Sequence, residues 1–212
     1  MFTDRHDAGQ QLGRLLLHLK EQQPIVLALP RGGVIVGAEV AKMLNAPLDV
    51  LVVRKLGAPN HAELAIGAVT NGEHPQRILN KNILSRIRIS ASYLEDETNR
   101  QLLEVKRLQE LYRQGRTALA VASRTVIVVD DGIATGATVR AGIKALRQMN
   151  VSCIVLGAAV APQETIKSLS LEVDELVCPL TPTSFTAVGL FYKNFEQTTD
   201  AQVIEALKLY SE

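Results

Sequence analysis

The sequence contains no tryptophan, and only 4% of its 212 residues are aromatic. It also has no excess of charge of one sign, because 23 Lys and Arg residues stand against 22 Asp and Glu residues. With a formal net charge of +1, the chain has no overall positive field that could retain a polyanion. Nucleic acid binding would need a local basic patch, so the composition argues against a nucleic-acid partner.

Long hydrophobic runs are missing as well. The longest, such as Thr125–Val129 and Ile154–Val160, are far shorter than the roughly 20 residues that cross a bilayer. The first residues are polar and lack a basic segment followed by an apolar one, the pattern of a secretory signal. We therefore expect a cytoplasmic protein that does not associate with membranes. Because 47% of the residues are hydrophobic and Gly and Pro usage is ordinary, the sequence predicts one globular domain over residues 1–212.

Cysteine is scarce, and its placement gives no sign of metal binding. Cys153 and Cys178 each lie in an apolar, strand-like segment. Neither has a second Cys or a His at the spacing of a metal-binding motif. The sequence predicts two buried free thiols.

Short, β-branched apolar runs recur along the chain and alternate with helical patterns. The runs are Pro24–Leu29, Leu48–Val53, Thr125–Val129, Ser152–Ala159 and Val173–Cys178. Apolar residues at helical spacing occupy Val34–Leu44, Val139–Met149 and Gln163–Leu169 between them. Near-continuous apolar strands joined by helical crossovers form a parallel sheet that is buried on both faces. The predicted fold class is therefore α/β, with helices flanking a parallel sheet.

An insertion at about residues 57–124 interrupts this alternation and is too long for a simple crossover. Within it, Asn71-Gly72 predicts a hairpin turn between Ala65–Thr70 and Arg77–Leu79. Ser92–Glu95 resembles a capping box, and apolar residues at helical spacing continue to Gly115. The insertion should thus contain a hairpin and one long, charged helix, which could be a solvated face, a dimer contact or a cover over the sheet.

The two ends of the sequence also predict amphipathic helices. Asp7 can cap one near the N-terminus, and Asp200 can cap one near the C-terminus. The second helix belongs to a C-terminal tail at 179–212.

The most informative stretch is Val126–Thr138, where a strand ends in two acids and a small-residue loop enters a helix. In a parallel sheet this loop lies at the carboxyl ends of the strands, where open α/β sheets bind ligands. The small residues let backbone N–H groups close on an anion such as phosphate, and the helix N-terminus adds to the attraction. The proposed cradle comprises Gly132, Ile133, Ala134, Thr135, Gly136, Ala137 and Thr138, with the two threonine hydroxyls as further donors.

The two acids, Asp130 and Asp131, would repel a phosphate, so they should instead accept hydrogen bonds from sugar hydroxyls. Together with the cradle they describe a clamp for ribose 5-phosphate. The loop is not a P-loop, because the residue directly before Thr138 is not a lysine. It is not a dinucleotide-binding loop either, because no complete GxGxxG follows a first strand. The alternative is that Asp130-Asp131-Gly132 is only a turn after a buried strand.

At this point the sequence resembles the type I phosphoribosyltransferases, whose signature is a strand, two acids and a loop ending in Thr-Gly-x-Thr. Val126–Thr138 is similar to it throughout, and the surrounding β-α order extends the likeness to about Pro24–Pro179. The resemblance implies a phosphoribosyltransferase-type core with a variable hood. It also implies 5-phosphoribosyl 1-diphosphate (PRPP) as ligand, with Mg²⁺ held mainly by substrate oxygens and water.

The resemblance implies roles for three further segments. Arg31, Gly32 and Gly33 follow the first strand, where the family holds the diphosphate, and a strained peptide bond there would agree with the family. Lys55 is the candidate for a second diphosphate contact, whereas Arg54 could equally pair with a nearby carboxylate. Gly57–Glu63 lies where the family carries a mobile lid, and within it His61 is a candidate for contact with the diphosphate or for a proton donor.

The implied reaction transfers the phosphoribosyl group to a nitrogenous base with release of diphosphate. Asp130 and Asp131 would then be catalytic, by holding the ribose and stabilising its developing positive charge. Phe185, Phe191 and Tyr192 could stack on the base, although core packing is the alternative for these rings. A different class of function also stays open, because some relatives sense PRPP and regulate transcription or bind RNA without turnover. The family is usually dimeric or larger, so a homodimer is expected.

Overall fold

The computed structural model describes residues 1–59, 61–70 and 76–210, and its strands follow the predicted apolar runs closely. In chain order the strands are β1 (Ile25–Ala28), β2 (Leu48–Val50), β3 (Val53–Ala58), β4 (His61–Thr70), β5 (Gln76–Leu79), β6 (Thr125–Asp130), β7 (Cys153–Ala158) and β8 (Glu175–Val177). Five of them form a parallel sheet in the order β2-β1-β6-β7-β8. This confirms the predicted α/β class with a parallel sheet.

Helices flank this sheet. They are α1 (Arg5–Leu15), α2 (Gly32–Leu44), α3 (Lys81–Leu84), α4 (Ala91–Arg113), α5 (Ala137–Gln148), α6 (Gln163–Leu169) and α7 (Asp200–Lys208), with 3₁₀ turns at Leu17–Gln22 and Val188–Phe191. Among the described residues, none of the helices combines the length and the apolar character needed to cross a bilayer. Apolar side chains of β1, β6 and β7 are buried on both faces of the sheet, as the continuous apolar runs predict.

The capping residues of the two terminal helices differ from the predicted ones. Asp4, not Asp7, caps α1, because its carboxylate accepts a hydrogen bond of 2.9 Å from the Asp7 N–H. Thr199, not Asp200, caps α7, where it forms a capping box with Gln202. The reason is the same in both cases: an N-cap lies one position before the first helical turn, and an acid within that turn is stabilised by the helix dipole instead.

The register of the parallel sheet brings several loops to one edge. Ala28 at the end of β1 lies opposite Val129, and Asp130 at the end of β6 lies opposite Ala158. The loops that follow β1, β6 and β7 therefore emerge side by side. This is the edge at which the sequence analysis placed a ligand.

Strands β3, β4 and β5 form a separate antiparallel sheet within the insertion. The predicted strand Leu48–Val53 is wrong in its extent, because β2 ends at Val50 and Val53 begins β3 in the second sheet. The predicted loop Gly57–Glu63 is also wrong in part, since Ala58 pairs with His61 and both lie in strands. The predicted turn Asn71-Gly72 lies outside the described residues, although β4 and β5 do pair antiparallel.

Helix α4 ties the insertion to the rest of the chain. Its N-cap is Ser90, two residues before the predicted Ser92, and the Ser90 hydroxyl accepts a hydrogen bond of 3.2 Å from the Tyr93 N–H. The Tyr93 hydroxyl donates to the carbonyl of Gly57 at 3.0 Å, which fixes β3 against the helix. At the other end of α4, Arg113 forms a buried ion pair with Asp49 of β2.

The two cysteines are free thiols, as predicted, but neither is fully buried. The Cys178 thiol donates to the carbonyl of Leu180 at 3.3 Å. Burial raises the pKa of this thiol to about 11. It also raises the pKa of Cys153. Both thiols are therefore protonated at neutral pH.

Candidate functional site

Asp130 ends strand β6 and stabilises the turn that follows it. Its Oδ1 accepts a hydrogen bond of 2.9 Å from the N–H of Asp131. Burial raises the pKa of Asp130 well above its usual range, and the neighbouring charge of Asp131 raises it further. The sequence left open the alternative that Asp130-Asp131-Gly132 is only a turn after a buried strand. For Asp130 that alternative is correct in part, because its carboxylate supports the turn.

Asp131 is held by groups from both ends of the described chain. Its Oδ2 accepts a hydrogen bond of 2.6 Å from Nε of Arg5, and the carboxylate is 15% exposed. Its backbone carbonyl accepts a hydrogen bond of 2.5 Å from the hydroxyl of Tyr192. The side chain therefore does not turn inward to support the backbone, and it lies at the ligand edge of the sheet.

Arg5 is a residue of this site that the sequence analysis missed. Its guanidinium lies over the ring of Phe195, 3.9 Å from the ring centre, and Nη1 donates to the carbonyl of Glu196 at 2.7 Å. No local sequence pattern indicates this role. Arg5 lies at the start of an ordinary amphipathic helix, and more than half of the chain separates it from Asp131.

The loop after Asp131 presents backbone donors at the start of α5. Gly136 has φ +74°, a conformation that favours glycine, and it directly precedes the helix. None of the hydrogen bonds between described residues uses the N–H groups of 134–138, which include the unpaired first turn of the helix. The Ile133 N–H is different, since it donates to the carbonyl of Val160 at 2.9 Å. The predicted cradle is therefore wrong for Ile133, whereas Gly132 stays a prediction, and the donors that no described residue uses include those of 134–138.

Helix α6 supports this loop from the other side. The Thr165 hydroxyl donates to the carbonyl of Ala134 at 2.7 Å, so the loop is fixed at its centre. Thr135 is exposed and Thr138 is partly exposed, which leaves both hydroxyls accessible at the loop. The arrangement is a helix N-terminus with a cluster of exposed donors, and its chemistry suits an anion.

The loop after β1 lies directly against the two aspartates. A Cβ added to Gly32 would fall 1.9 Å from Oδ2 of Asp131, and one added to Gly33 would fall 2.9 Å from the carbonyl oxygen of Val129. Only glycine allows this approach at both positions. The peptide bond between Pro30 and Arg31 is cis, at the place where the resemblance implied an unusual bond.

Arg31 faces the C-terminal helix. Its Nη1 lies 3.9 Å from Oδ1 of Asp200, and the guanidinium is 38% exposed. Asp200 in turn accepts a hydrogen bond of 2.8 Å from the hydroxyl of the buried Tyr112. Burial and this contact raise the pKa of Tyr112, which therefore remains a donor at physiological pH. A chain of contacts thus links α4, α7 and the loop after β1.

Lys55 lies in β3 and is partly exposed. It lines a cavity of about 120 Å³ together with Ala137, Arg140 and Lys144 of α5, and the lining includes no residue of 31–33. Lys55 is therefore grouped with the start of α5, on the side of the predicted phosphate cradle. Arg140 also pairs with Glu172.

The remaining predicted residues are more peripheral. Arg54 is exposed, and its Nε donates to Oε1 of Gln101 at 3.1 Å rather than to a carboxylate. His61 is exposed at the start of β4. The structure does not bring either of them to the two aspartates.

The tail places its aromatic residues beside Asp131, but the rings mostly contact each other. Tyr192 is 5% exposed, and its ring centre lies 5.3 Å from that of Phe2 and 4.8 Å from that of Phe195. Core packing therefore accounts for Tyr192, and its predicted stacking on a base is wrong. Phe185 and Phe191 stack at 5.3 Å and are both partly exposed. Burial raises the pKa of Tyr192, so its hydroxyl remains the donor to Asp131.

The chain is similar to one known protein family and to named members of it. A family model described as a phosphoribosyl transferase domain matches residues 4–190. The chain therefore belongs to the phosphoribosyl transferase domain family. It is 44% identical over 207 residues to a Mycobacterium tuberculosis protein named "Putative phosphoribosyl transferase", found in two strains. That match includes 98% of this chain and 46% of the relative, so the chain spans about half the length of the curated relatives it matches.

Solved structures give the same result for the fold. The crystal structure of TT1426 from Thermus thermophilus has a TM-score of 0.88 at 38% sequence identity, over 100% of this chain and 99% of that one. The AQ2163 protein from Aquifex aeolicus has a TM-score of 0.50 at 12% identity, over 99% and 89% of the two chains. The second likeness concerns the fold alone.

Proposed function

We propose that this chain transfers the 5-phosphoribosyl group of PRPP to a nitrogen atom of a base and releases diphosphate. The observation that carries the proposal is the meeting of three groups at one sheet edge. These are the N–H groups of 134–138, the accessible carboxylate of Asp131 and the glycine loop at 32–33. The N–H groups could bind an anion, Asp131 could bind a polyhydroxyl group, and the glycine loop could bind a second anion. A single ligand that carries these three groups in this order would therefore fit the edge.

The N–H groups of 134–138 would bind the 5-phosphate. A helix N-terminus attracts an anion through its free donors and its dipole, and no lysine has to contact the phosphate. Lys55 and Lys144 lie beside Ala137 and add positive charge near the same position. The phosphate would thus fix one end of the ligand.

Asp131 would accept hydrogen bonds from the ribose hydroxyls. Its Oδ2 is used by Arg5, whereas no hydrogen bond between described residues uses its Oδ1. As diphosphate leaves the anomeric carbon, positive charge develops on the ribose, and a carboxylate held nearby stabilises it. Asp130 contributes by fixing the backbone turn that carries Asp131.

The loop at 31–33 would hold the diphosphate, because its glycines allow close backbone approach and Arg31 supplies charge. Mg²⁺ would be held mainly by oxygen atoms of the substrate and by water, and the Asp131 carboxylate would add favourable negative charge nearby. Among the described residues no three His, Cys, Asp or Glu side chains converge, so substrate oxygens and water would complete its coordination. Bound Mg²⁺ would neutralise charge on the leaving diphosphate.

The acceptor is the least defined part of the proposal. Phe185 and Phe191 present a partly exposed aromatic pair beside the tail, and a flat base could stack on it. We assign only the chemical class, a nitrogenous base.

The test combines binding and turnover. In an Asp130→Asn/Asp131→Asn variant, calorimetry with PRPP and Mg²⁺ should show much weaker binding, because the Asp131 carboxylate that would accept hydrogen bonds from the ribose hydroxyls loses its charge. Asparagine retains an oxygen that can accept from the backbone amide of residue 131, so the fold should survive. A Glu21→Gln/Glu205→Gln variant, which removes two exposed charges elsewhere, is the control.

Turnover is measured as diphosphate release with a panel of nucleobases. Release that depends on one base supports the transferase. Binding of PRPP without its consumption by any base would instead support a PRPP sensor. Unchanged PRPP binding by the aspartate variant would contradict the proposed site.

A further inference from the structure

The polar groups of Asp131 are almost fully committed within the protein. Its N–H donates to Asp130, its carbonyl accepts from Tyr192, and its Oδ2 accepts from Arg5. Its Oδ1 accepts no hydrogen bond from an N–H group of the described residues, while the neighbouring Asp130 carboxyl group also interacts with this carboxylate. Arg5 therefore holds the carboxylate by Oδ2, and Oδ1 is the oxygen that a ligand could approach.

Arg5 is itself held in place by three different contacts. The guanidinium donates to Oδ2 of Asp131 and to the carbonyl of Glu196, and its central carbon lies 3.9 Å from the ring centre of Phe195. Its side chain is 12% exposed. A planar group with several donors can satisfy these contacts together, whereas the ammonium group of lysine cannot stack and donate in this geometry.

We infer that Arg5 is a positioning residue that orients Asp131 toward the sugar hydroxyls of a ribose phosphate. The inference rests on the proposed function, because it takes the ligand of Asp131 to be a sugar. It adds to that proposal a residue that lies in α1, far in sequence from the motif. The polar contacts of Arg5 are with Asp131 and the tail, and its Nε also lies against Gly32, where an added Cβ would fall 2.6 Å from it. We assign it no direct contact with the ligand.

The inference predicts that the sugar and the phosphate of the ligand are recognised by different residues. The phosphate cradle at 134–138 is supported by α5 and by Thr165 of α6, and neither contacts Arg5. Loss of Arg5 should free the Asp131 carboxylate to rotate and should remove its buried partner. Recognition of the hydroxyls should then suffer while recognition of the phosphate is retained.

The experiment compares two ligands by calorimetry, ribose 5-phosphate and inorganic phosphate, without added metal. Arg5→Ala should weaken the binding of ribose 5-phosphate by about tenfold or more, as expected when the Asp131 carboxylate loses its orientation and its charge-assisted hydrogen bond to the sugar is lost. The affinity for inorganic phosphate should not change. Arg14→Ala is the matched control, since Arg14 is exposed on the same helix, and it should change neither affinity. Arg5→Lys, which keeps the charge and one donor, should fall between wild type and Arg5→Ala.

Two other results would overturn the inference, and a third would overturn the proposed function. If both affinities fall together in Arg5→Ala and in Arg5→Lys, Arg5 acts on the structure of the whole site and the inference is overturned. If ribose 5-phosphate binds more tightly to Arg5→Ala, Arg5 competes with the sugar, which also overturns it. If wild-type protein binds neither ligand, the proposed function fails first, and this outcome is distinguishable because the wild-type titration alone reveals it.

Discussion

Replacing Arg113 by methionine should cost about 3–5 kcal/mol of unfolding free energy, because it leaves a buried carboxylate without its partner. Arg113 donates from Nη2 to Oδ2 of Asp49 at 2.8 Å and from Nε to Oδ1 at 3.0 Å. The side chains are 13% and 8% exposed, respectively. Without Arg113, the donors to Asp49 would include the backbone N–H groups of Val50 at 2.7 Å and Leu119 at 3.4 Å, neither of which carries a charge.

Urea unfolding followed by circular dichroism measures this loss. The expected loss is a large fraction of the total free energy of unfolding, which is about 5–15 kcal/mol for a protein of this kind. A fall of roughly 10 °C in Tm should accompany the loss. The double variant Arg113→Met/Asp49→Leu removes the stranded charge as well, so it should be more stable than Arg113→Met alone. Arg107→Met is the control, because Arg107 lies exposed on the same helix and forms a surface ion pair with Glu104. A loss below about 1 kcal/mol in Arg113→Met, or a double variant no more stable than it, would refute the reasoning.

Two further predictions concern a glycine and a thiol. Gly136→Ala should lose about 1–2 kcal/mol of stability because φ is +74°, and its affinity for inorganic phosphate should fall, as calorimetry would show. Gly115→Ala is matched to it, with φ +87° and no atom within 4 Å of the added Cβ, so it should lose stability but keep phosphate affinity; equal phosphate affinity in both variants would count against the cradle. Cys178 should react with a thiol reagent at pH 8 at least about tenfold more slowly than glutathione, because its pKa is raised to about 11 and little thiolate is present below that pH. Its rate should therefore keep rising as the pH approaches 11, and a plateau near pH 9 would show that the thiol is not protected.

The core sheet could be predicted from the sequence because each strand is buried on both faces. Runs such as Thr125–Val129 are then continuously apolar, and the structure places β6 over Thr125–Asp130. The run Leu48–Val53 shows where the pattern fails. Leu51 and Val52 are buried like their neighbours, so the sequence carries no mark of the change from one sheet to the other. Burial is recorded in the apolar pattern, but the hydrogen-bonding partner of a strand is not.

The same distinction applies to the site. Asp130, Asp131 and Gly136 lie within one short segment, so their types and spacing predict a turn and a loop of donors at a helix N-terminus. Which donors are already used depends on other segments, as with Ile133 and the carbonyl of Val160. Tyr192 could likewise not be distinguished from a stacking residue, because its burial depends on Phe2 and Phe195.

The supports of the site divide into two groups that share no residue. Arg5 and Tyr192 hold Asp131, whereas Thr165 and the first turn of α5 hold the loop at 134–138. Because contacts that share no partner act almost independently, changes in the tail should alter sugar recognition and changes in α6 should alter phosphate recognition. A tail that varied in sequence could therefore change the part of the ligand beyond the phosphate while the phosphate continued to bind at the same loop. This separation would let one phosphate-binding loop serve ligands that differ in the rest of their structure.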